Sequence, residues 1–158
     1  MNQHGTRTLW RISDHADLSG WGSLKFASRW ASRGHRLVYA AESPAGAMLE
    51  ILAHLEFEDG ELPDDYRLIE IAVPDGLAIR ELEPPRSPLW KQHPRLTQHV
   101  GDRWLKSRQT PLARVPSAIM PRTWNILLNP EHPDAEKIRI TSMIRERFDN
   151  RLFRFGGN

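Results

Sequence analysis

Apolar and polar residues alternate in several short stretches of this chain, a pattern typical of β-strands. The clearest stretch is residues 66–73, in which Ile69, Ile71 and Val73 share one strongly apolar face. Further strands are predicted at residues 8–12, 37–41, 77–82, 112–119, 124–128 and 137–144. The chain is therefore expected to build a sheet with at least one well-buried face.

Two other stretches repeat apolar residues every three or four positions, as helices do. Ser43 followed by Pro44 predicts a helix start, because serine is a favoured N-cap and proline loses nothing at the first helical position. This helix is expected to end at about residue 54 or 55. A second helix is predicted over residues 95–107, with Leu96, Val100 and Trp104 facing inward.

The order of these elements predicts an α+β fold with a mixed, mainly antiparallel sheet, because strands and helices follow no regular βαβα rhythm. A chain of 158 residues with 39% hydrophobic content suits one compact domain over residues 1–158, with its core at about residues 7–155. Residues 14–25 and 84–94 are expected to be irregular, and the acidic residues 56–65 to form a surface linker.

The first helix carries one acidic residue, Glu50, among apolar neighbours. Because desolvation disfavours the charged form, a carboxylate in such a place either finds partners or has a raised pKa. One interpretation is an acid at the rim of the core, solvated or paired with His54 one turn later. The other is a functional carboxylate, and these residues alone leave both open.

Composition excludes several classes of protein. The chain has no cysteine, which removes disulfides and thiolate metal sites. Its beginning lacks the apolar segment of a signal peptide, so a soluble cytoplasmic protein is expected. Most basic residues are arginines, which favour bidentate phosphate binding. A net charge of only +2 argues against non-specific nucleic-acid binding as the main task.

Isolated motifs predict little chemistry. The seven histidines are scattered, and Glu50, His54 and Glu56 do not have the spacing of a zinc hydrolase, so no metal site is expected. No glycine-rich phosphate loop is present, and neither Ser43 nor Ser117 lies in a nucleophile elbow. Pro116 implies an edge position or a bulge, where a side chain such as that of Ser117 can be turned toward a site.

The order of several motifs nevertheless resembles the RES-domain family, toxins of bacterial toxin–antitoxin pairs. The motifs are Arg11 in TLWRI, Arg29 and Trp30 ahead of Tyr39, Glu50 at the end of SPAGAMLE, Ser117 within VPSAI, and NILLNPEHPD. The resemblance spans nearly the whole chain, up to FDNRLF. The family often has glycine before and asparagine after the arginine–aromatic pair, whereas this chain has Ser28 and Ala31.

The resemblance implies an ADP-ribosyltransferase-like fold and an enzyme that degrades NAD+ by hydrolysis or phosphorolysis of its nicotinamide–ribose bond. The implied site residues fall into two groups, catalytic Arg29, Glu50 and Ser117 and substrate-binding Arg11, Tyr39 and Asn125. NAD+ is then a substrate, inorganic phosphate a candidate co-substrate, and no resident cofactor is expected. The implied partner is a cognate antitoxin with a helix-turn-helix DNA-binding domain that covers the active site.

Within this resemblance, each side chain has a plausible chemical task. Arg11 and Arg29 are suited to hold the pyrophosphate, and Tyr39 to stack on nicotinamide. Glu50 is suited to stabilise the positive charge that develops on the ribose. Ser117 is expected to orient the ribose or the glutamate, and not to attack.

Two other functions remain open at this stage. The same pocket could transfer ADP-ribose to a macromolecule. Alternatively, the arginine-rich surface could belong to a non-enzymatic module that binds nucleic acid, with a steep salt dependence and no consumption of NAD+.

Overall fold

The computed structural model of the chain describes residues 6–54 and 63–153. The strands are β1 (Thr6–Ile12), β2 (Val38–Ala41), β3 (Asp65–Pro74), β4 (Ile79–Glu81), β5 (Leu112–Pro116), β6 (Trp124–Leu128) and β7 (Arg139–Arg147). The α-helices are α1 (Gly22–Lys25), α2 (Pro44–His54) and α3 (Pro94–Ser107), and short 3-10 helices occupy Pro133–Lys137 and Asn150–Phe153. None of these helices is both long enough and apolar enough to cross a membrane.

The strands form one sheet in the order β4-β5-β6-β2-β1-β3-β7. β4 and β5 pair in parallel, and each of the other neighbouring pairs is antiparallel. This arrangement confirms the predicted α+β fold with its mixed, mainly antiparallel sheet. Strands far apart in sequence become neighbours, since β2 lies between β1 and β6.

The two faces of the sheet pack into two separate apolar clusters. On one face Ile69 and Ile71 are buried, as their alternation predicted, and pack with Val38 and Ile126. On the opposite face Leu127, the neighbour of Ile126 in β6, joins a second cluster that includes Trp30 and Trp104. Helix α3 packs on this second face through Trp104 and Leu105, and Tyr39 packs against the same cluster.

Helix α2 begins where the sequence predicted. The Ser43 hydroxyl accepts a hydrogen bond from the backbone N–H of Gly46 at 3.0 Å, which satisfies one of the free donors of the first turn. The helix continues to His54, the last described residue before the gap. The buried residues of this helix are Gly46 and Ala47, whereas Ala45, which shares the apolar spacing, is exposed.

Helix α3 also forms at the predicted place, but its inward face was predicted wrongly at one position. Leu96 is 36% exposed, and the buried residues are Thr97, Gly101, Trp104 and Leu105. The reason is that α3 packs against the backbone near Trp30. Such close contact requires a residue without a side chain, Gly101, and a short polar residue, Thr97, that hydrogen-bonds to the backbone. Apolar periodicity does not detect such a contact.

Several strand boundaries differ from the prediction. β4 and β5 are shorter than expected, β7 lies further along the chain, and a single helical turn, α1, occurs within the expected loop at residues 14–25. Strand β5 lies between β4 and β6, but its pairing with β4 ends at Arg114. Pro116, the last residue of β5, pairs with β6 alone and so has the expected edge position, where no N–H is needed.

The expected irregular passage at residues 84–94 contains turns and no strand. Most of the expected acidic linker, namely residues 56–62, lies outside the described residues. The aromatic tail docks on the sheet as far as it is described, because the Phe148 ring centroid lies 4.9 Å from that of Tyr66 and 5.3 Å from that of Phe153.

Candidate active site

A cleft of about 710 Å³ opens beside β1, β2 and α2 and is closed on its other side by the segment around α1. This volume lies within the usual range for small-molecule sites. Four of the residues singled out in the sequence line it together, namely Arg11, Arg29, Tyr39 and Glu50. They come from four separate places in the chain, and the tertiary structure brings them to one cavity.

The Glu50 carboxylate is held by the side chains of Ser117, which follows β5, and of Asn125 in β6. Its Oε1 accepts hydrogen bonds from the Ser117 hydroxyl at 3.0 Å and from the Asn125 amide Nδ2 at 2.8 Å. Both bonds go to the same oxygen, so in the described part of the chain Oε2 has no donor and is available to a ligand. Glu50 is therefore fixed in position while keeping one oxygen open.

His54 does not pair with this carboxylate, contrary to one of the two interpretations of the sequence. Its ring Nδ1 lies 2.7 Å from the backbone oxygen of Glu50, one turn earlier in α2. The carboxylate itself points to Ser117 and Asn125. The structure therefore favours the alternative in which the apolar surroundings of Glu50 serve a site.

Asn125 lies between Glu50 and Tyr39 and is fully buried. The pairing of β2 with β6 places it opposite Ala41, two residues along from Tyr39. Its Nδ2 also donates to the Tyr39 hydroxyl at 3.4 Å, while its Oδ1 has no partner among the described residues. Asn125 does not line the cleft, so its position suits orientation of Glu50 and Tyr39 better than direct contact with a substrate.

The Tyr39 hydroxyl is kept in its neutral form. Burial raises the pKa of this phenol, and the negative charge of Glu50 raises it further. The hydrogen bond from Asn125 and the positive charge of Arg29 act in the opposite direction but do not prevail. Because Asn125 already donates to the hydroxyl oxygen, the phenol retains its own proton to donate.

The Ser117 hydroxyl both donates and accepts hydrogen bonds within the protein. It accepts hydrogen bonds from the backbone N–H groups of Ile119 at 3.1 Å and Met120 at 3.2 Å, and it donates its proton to Glu50. The side chain is 4% exposed and outside the cleft lining. This environment suits a residue that orients the glutamate, since a nucleophile needs a base to accept its proton and a path to the substrate.

The segment that carries Arg29 is held by α3. The Thr97 hydroxyl donates to the backbone oxygen of Arg29 at 2.5 Å, and the Gln98 amide donates to that of Ser28 at 2.8 Å. Gly101 lies so close that an added Cβ would stand 1.7 Å from the backbone oxygen of Trp30. Among the described residues, the guanidinium of Arg29 makes one long hydrogen bond, 3.5 Å from Nη1 to the backbone oxygen of Trp90, and it lines the cleft.

Arg11 enters the cleft from β1. Burial lowers the pKa of its guanidinium, and the nearby carboxylate of Asp17 partly offsets this. Its Nη1 donates to the backbone oxygen of Asp17 at 3.1 Å. An arginine remains charged even so, which makes this partly desolvated cation a good partner for an anionic ligand.

The sequence did not indicate two further parts of this site. Trp21 and Phe26 line the cleft on either side of α1, and the polar face of α3 holds the Arg29 segment. An aromatic pair within a glycine- and serine-rich stretch was the available signal for the first. Trp104 is buried, as predicted, and Trp30 is buried beside it in the same cluster. The half-buried Trp124 stacks under the Arg114 guanidinium at 4.1 Å.

Metal-binding side chains do not cluster in the described residues, where no group of three histidine, aspartate or glutamate residues could hold an ion. The site is thus organised around hydrogen-bonded and charged side chains. Fold and site together define a single-sheet α+β protein whose cleft brings together the fixed Glu50 carboxylate, the neutral Tyr39 phenol and two guanidinium groups.

Residues 8–150 match the family model described as RES domain, so the chain belongs to the RES-domain family of toxins. A relative from Pseudomonas putida, named Toxin Res, is 47% identical over 147 residues, covering 92% of this chain and 99% of that protein. A relative from Sphingobium, named Prs ADP-ribosylating toxin, is 39% identical over 160 residues, covering 94% of this chain and 98% of that protein. These matches confirm the resemblance inferred from the motifs.

The fold has a counterpart among solved structures. A chain in the crystal structure of the M. tuberculosis MbcT-MbcA toxin–antitoxin complex superposes with a TM-score of 0.68 and 21% sequence identity. The match covers 91% of this chain and 86% of that one. At this level of identity the likeness supports the α+β fold alone.

Proposed function

We propose that this chain is the toxin of a toxin–antitoxin pair and depletes NAD+ by breaking the nicotinamide–ribose bond. The observation that carries the proposal is the Glu50 carboxylate, fixed by Ser117 and Asn125 through one oxygen and open to the cleft through the other. The lining arginines, Arg11 and Arg29, supply the positive charge that a pyrophosphate needs. Loss of NAD+ would stop growth until an antitoxin neutralises the protein.

The proposed chemistry needs no acid to assist the leaving group. The bond between the ribose C1″ and the nicotinamide nitrogen breaks with its electron pair moving to that nitrogen, which becomes neutral. The positive charge that develops on the ribose is stabilised by the ionised Glu50. Water then adds at C1″ and releases a proton, giving ADP-ribose, or phosphate adds and gives ADP-ribose-1″-phosphate.

Arg11, Arg29 and Tyr39 would act on binding and not on the bond itself. The guanidiniums would hold the pyrophosphate, and the neutral Tyr39 would pack against nicotinamide or donate its proton to the substrate. Ser117 and Asn125 would keep the carboxylate oriented before the substrate arrives, so that no reorganisation is needed during the reaction. NAD+ is a substrate in this scheme, and we propose no resident cofactor.

The first test is the variant Glu50→Gln, which keeps the shape of the side chain and removes its charge. We expect NAD+ consumption by the purified protein to fall by about 100-fold or more, the usual cost of one electrostatic stabiliser. The matched control is Glu83→Gln, since Glu83 is exposed and outside the cleft. A thermal unfolding curve verifies folding, and near-normal turnover in folded Glu50→Gln would remove Glu50 from the mechanism.

A second candidate function is transfer of ADP-ribose to a macromolecule. It is favoured by the name of the Sphingobium relative, an ADP-ribosylating toxin, which is 39% identical to this chain. Incubation with labelled NAD+, with and without phosphate, separates the acceptors. Free ADP-ribose indicates water, ADP-ribose-1″-phosphate indicates phosphate, and label on protein or nucleic acid indicates transfer.

Salt-sensitive nucleic-acid binding without NAD+ loss would favour the non-enzymatic alternative.

We also propose a cognate antitoxin with a helix-turn-helix DNA-binding domain as the partner, acting in the cytoplasm. The structural counterpart was solved as a toxin–antitoxin complex, which supports a protein partner. An antitoxin seated over the cleft would inhibit by excluding NAD+. Inhibition that is competitive with NAD+ is therefore the expected kinetic pattern.

A further inference from the structure

Two exposed aromatic side chains flank the short helix α1 at the cleft. Trp21 is 61% exposed and Phe26 is 74% exposed, and both belong to the cleft lining. Large aromatic rings left in solvent are costly unless a ligand or partner covers them, and their flat faces are well suited to stacking. The function proposed above for the polar residues leaves these rings without a task.

The segment that carries these rings is firmly attached to the start of β2. The Ser23 hydroxyl donates to the backbone oxygen of Leu37 at 2.7 Å and accepts from its N–H at 3.1 Å. Gly20 has φ +69°, and an added Cβ would lie 2.7 Å from the Leu37 nitrogen. Tyr39 lies two residues after Leu37, so the segment that carries Trp21 and Phe26 is attached to the strand that carries the phenol.

The guanidinium of Arg36 packs against one face of the Trp21 ring. The guanidinium carbon of Arg36 lies 4.6 Å from the ring centroid, and Nε of Arg36 donates to the backbone oxygen of Ser19 at 2.7 Å. The indole is thus positioned before any ligand binds, while most of its surface stays exposed. Preorganised aromatic rings of this kind bind flat ligands at a low entropic cost.

We propose that Trp21 and Phe26 form the stacking site for the adenine base of NAD+. This inference rests on the proposed function, which assigns the nicotinamide end of the dinucleotide to Glu50 and Tyr39 and the pyrophosphate to the arginines. The remaining part of the lining, around α1, is then the place for the adenosine end. Stacking needs only the face of a base and no hydrogen-bond partners, which fits a rim made of two rings.

The test uses Trp21→Ala and Phe26→Ala, with Trp21→Phe as the conservative variant. We expect the KM for NAD+ to rise about tenfold in each alanine variant with little change in kcat, because a stacked base contributes that much to binding. Trp21→Phe should restore most of the affinity. The control is Ile144→Ala, another exposed apolar residue, which lies on β7 outside the cleft.

A binding measurement that does not depend on catalysis completes the test. AMP, which carries the adenosine end alone, should bind to the Glu50→Gln protein and bind about tenfold more weakly when Trp21→Ala or Phe26→Ala is added. Unchanged AMP affinity and unchanged KM in both variants would overturn the adenine site. If these quantities stay unchanged and inhibition by the antitoxin is lost, the rings are a protein-docking surface instead. Absence of NAD+ consumption in the unmodified protein would overturn the proposed function, and the AMP measurement would still decide on the stacking site.

Discussion

Asn125 is the residue on which the geometry of the candidate site depends most closely. Its amide is fully buried and donates to both Glu50 and Tyr39, so one side chain positions two groups that line the cleft. An amide can do this because its N–H groups donate hydrogen bonds without adding a charge beside the carboxylate. A carboxylic acid of similar size at position 125 would instead compete with Glu50 for a proton.

Replacing Asn125 with aspartate tests this dependence. Two carboxylates in hydrogen-bond contact share a proton, which raises the pKa of one of them. Because the proposed mechanism needs an ionised Glu50, we expect kcat in Asn125→Asp to fall at neutral pH and to recover toward alkaline pH. The measurement is the pH dependence of kcat beside that of the unmodified protein. Identical profiles would show that Asn125 does not control the state of Glu50.

Tyr39 makes a prediction about stability at alkaline pH. Its pKa is raised in the folded protein, mainly by burial, above the ordinary value of about 10. The unfolded chain therefore releases this proton first as the pH rises past about 10, and the free energy of unfolding falls. Below that pH both states keep the proton, and the phenol makes no pH-dependent contribution.

The variant Tyr39→Phe lacks this titration. Between pH 8 and pH 11 we expect its free energy of unfolding to fall by about 1.4 kcal/mol less than that of the unmodified protein, the equivalent of one pH unit of linkage. Urea unfolding at the two pH values measures both falls. Equal losses in the two proteins would contradict a raised pKa at Tyr39.

At the scale of elements, helix α3 fixes the position of the backbone segment that carries Arg29. Thr97 and Gln98 bind the backbone of the arginine segment, and Asp102 accepts hydrogen bonds from the backbone N–H of Ser32 at 2.9 Å and from its hydroxyl at 2.5 Å. The buried face of this helix is therefore partly polar by necessity. A helix selected only for apolar packing could not bring a backbone segment so close.

Gly101→Ala tests the role of α3. On an open helix this change is stabilising, but here the new Cβ would collide with the backbone oxygen of Trp30, which has no freedom to rotate away. We expect a loss of about 1–3 kcal/mol in the free energy of unfolding and a higher KM for NAD+, because Arg29 is displaced.

The control for Gly101→Ala is His99→Ala, which alters an exposed residue of the same helix. It should leave both the unfolding free energy and KM nearly unchanged. A Gly101→Ala protein with normal KM would show that the position of Arg29 is insensitive to α3.

At the scale of the whole molecule, the site exists only when the sheet is assembled. Glu50 is bound by residues 67 and 75 positions away in sequence, and these reach it because β2 lies beside β6. No local segment contains enough of the site to bind a ligand by itself. Ligand binding and folding are therefore coupled.

This coupling predicts that NAD+ stabilises the folded protein. With Glu50→Gln to prevent consumption, the unfolding midpoint should rise with NAD+ concentration, by an amount equivalent to about 2.7 kcal/mol at 100 times the Kd. Thermal unfolding at increasing NAD+ measures the shift, and adding Arg29→Ala should reduce it. A midpoint that does not respond to NAD+ in the folded Glu50→Gln protein would count against the cleft as a dinucleotide site.

The sequence by itself determined the elements and the family. Alternating residues such as Ile69 and Ile71 define a strand, and Ser43 with Pro44 defines a helix start, because these signals depend on neighbours along the chain. The motif order around Arg29, likewise a property of the chain alone, predicted the family correctly. Boundaries were less accurate, since strand ends depend on how far the partner strand extends.

Only the tertiary structure decided what surrounds each functional group. The two donors on Glu50, the partly polar face of α3 and the aromatic rim at Trp21 all arise from contacts between distant segments. Periodicity in sequence reports which side of an element is apolar. It does not report which backbone or side chain packs against that side, because the free energy of such a contact belongs to both partners and their positions are set by the complete fold.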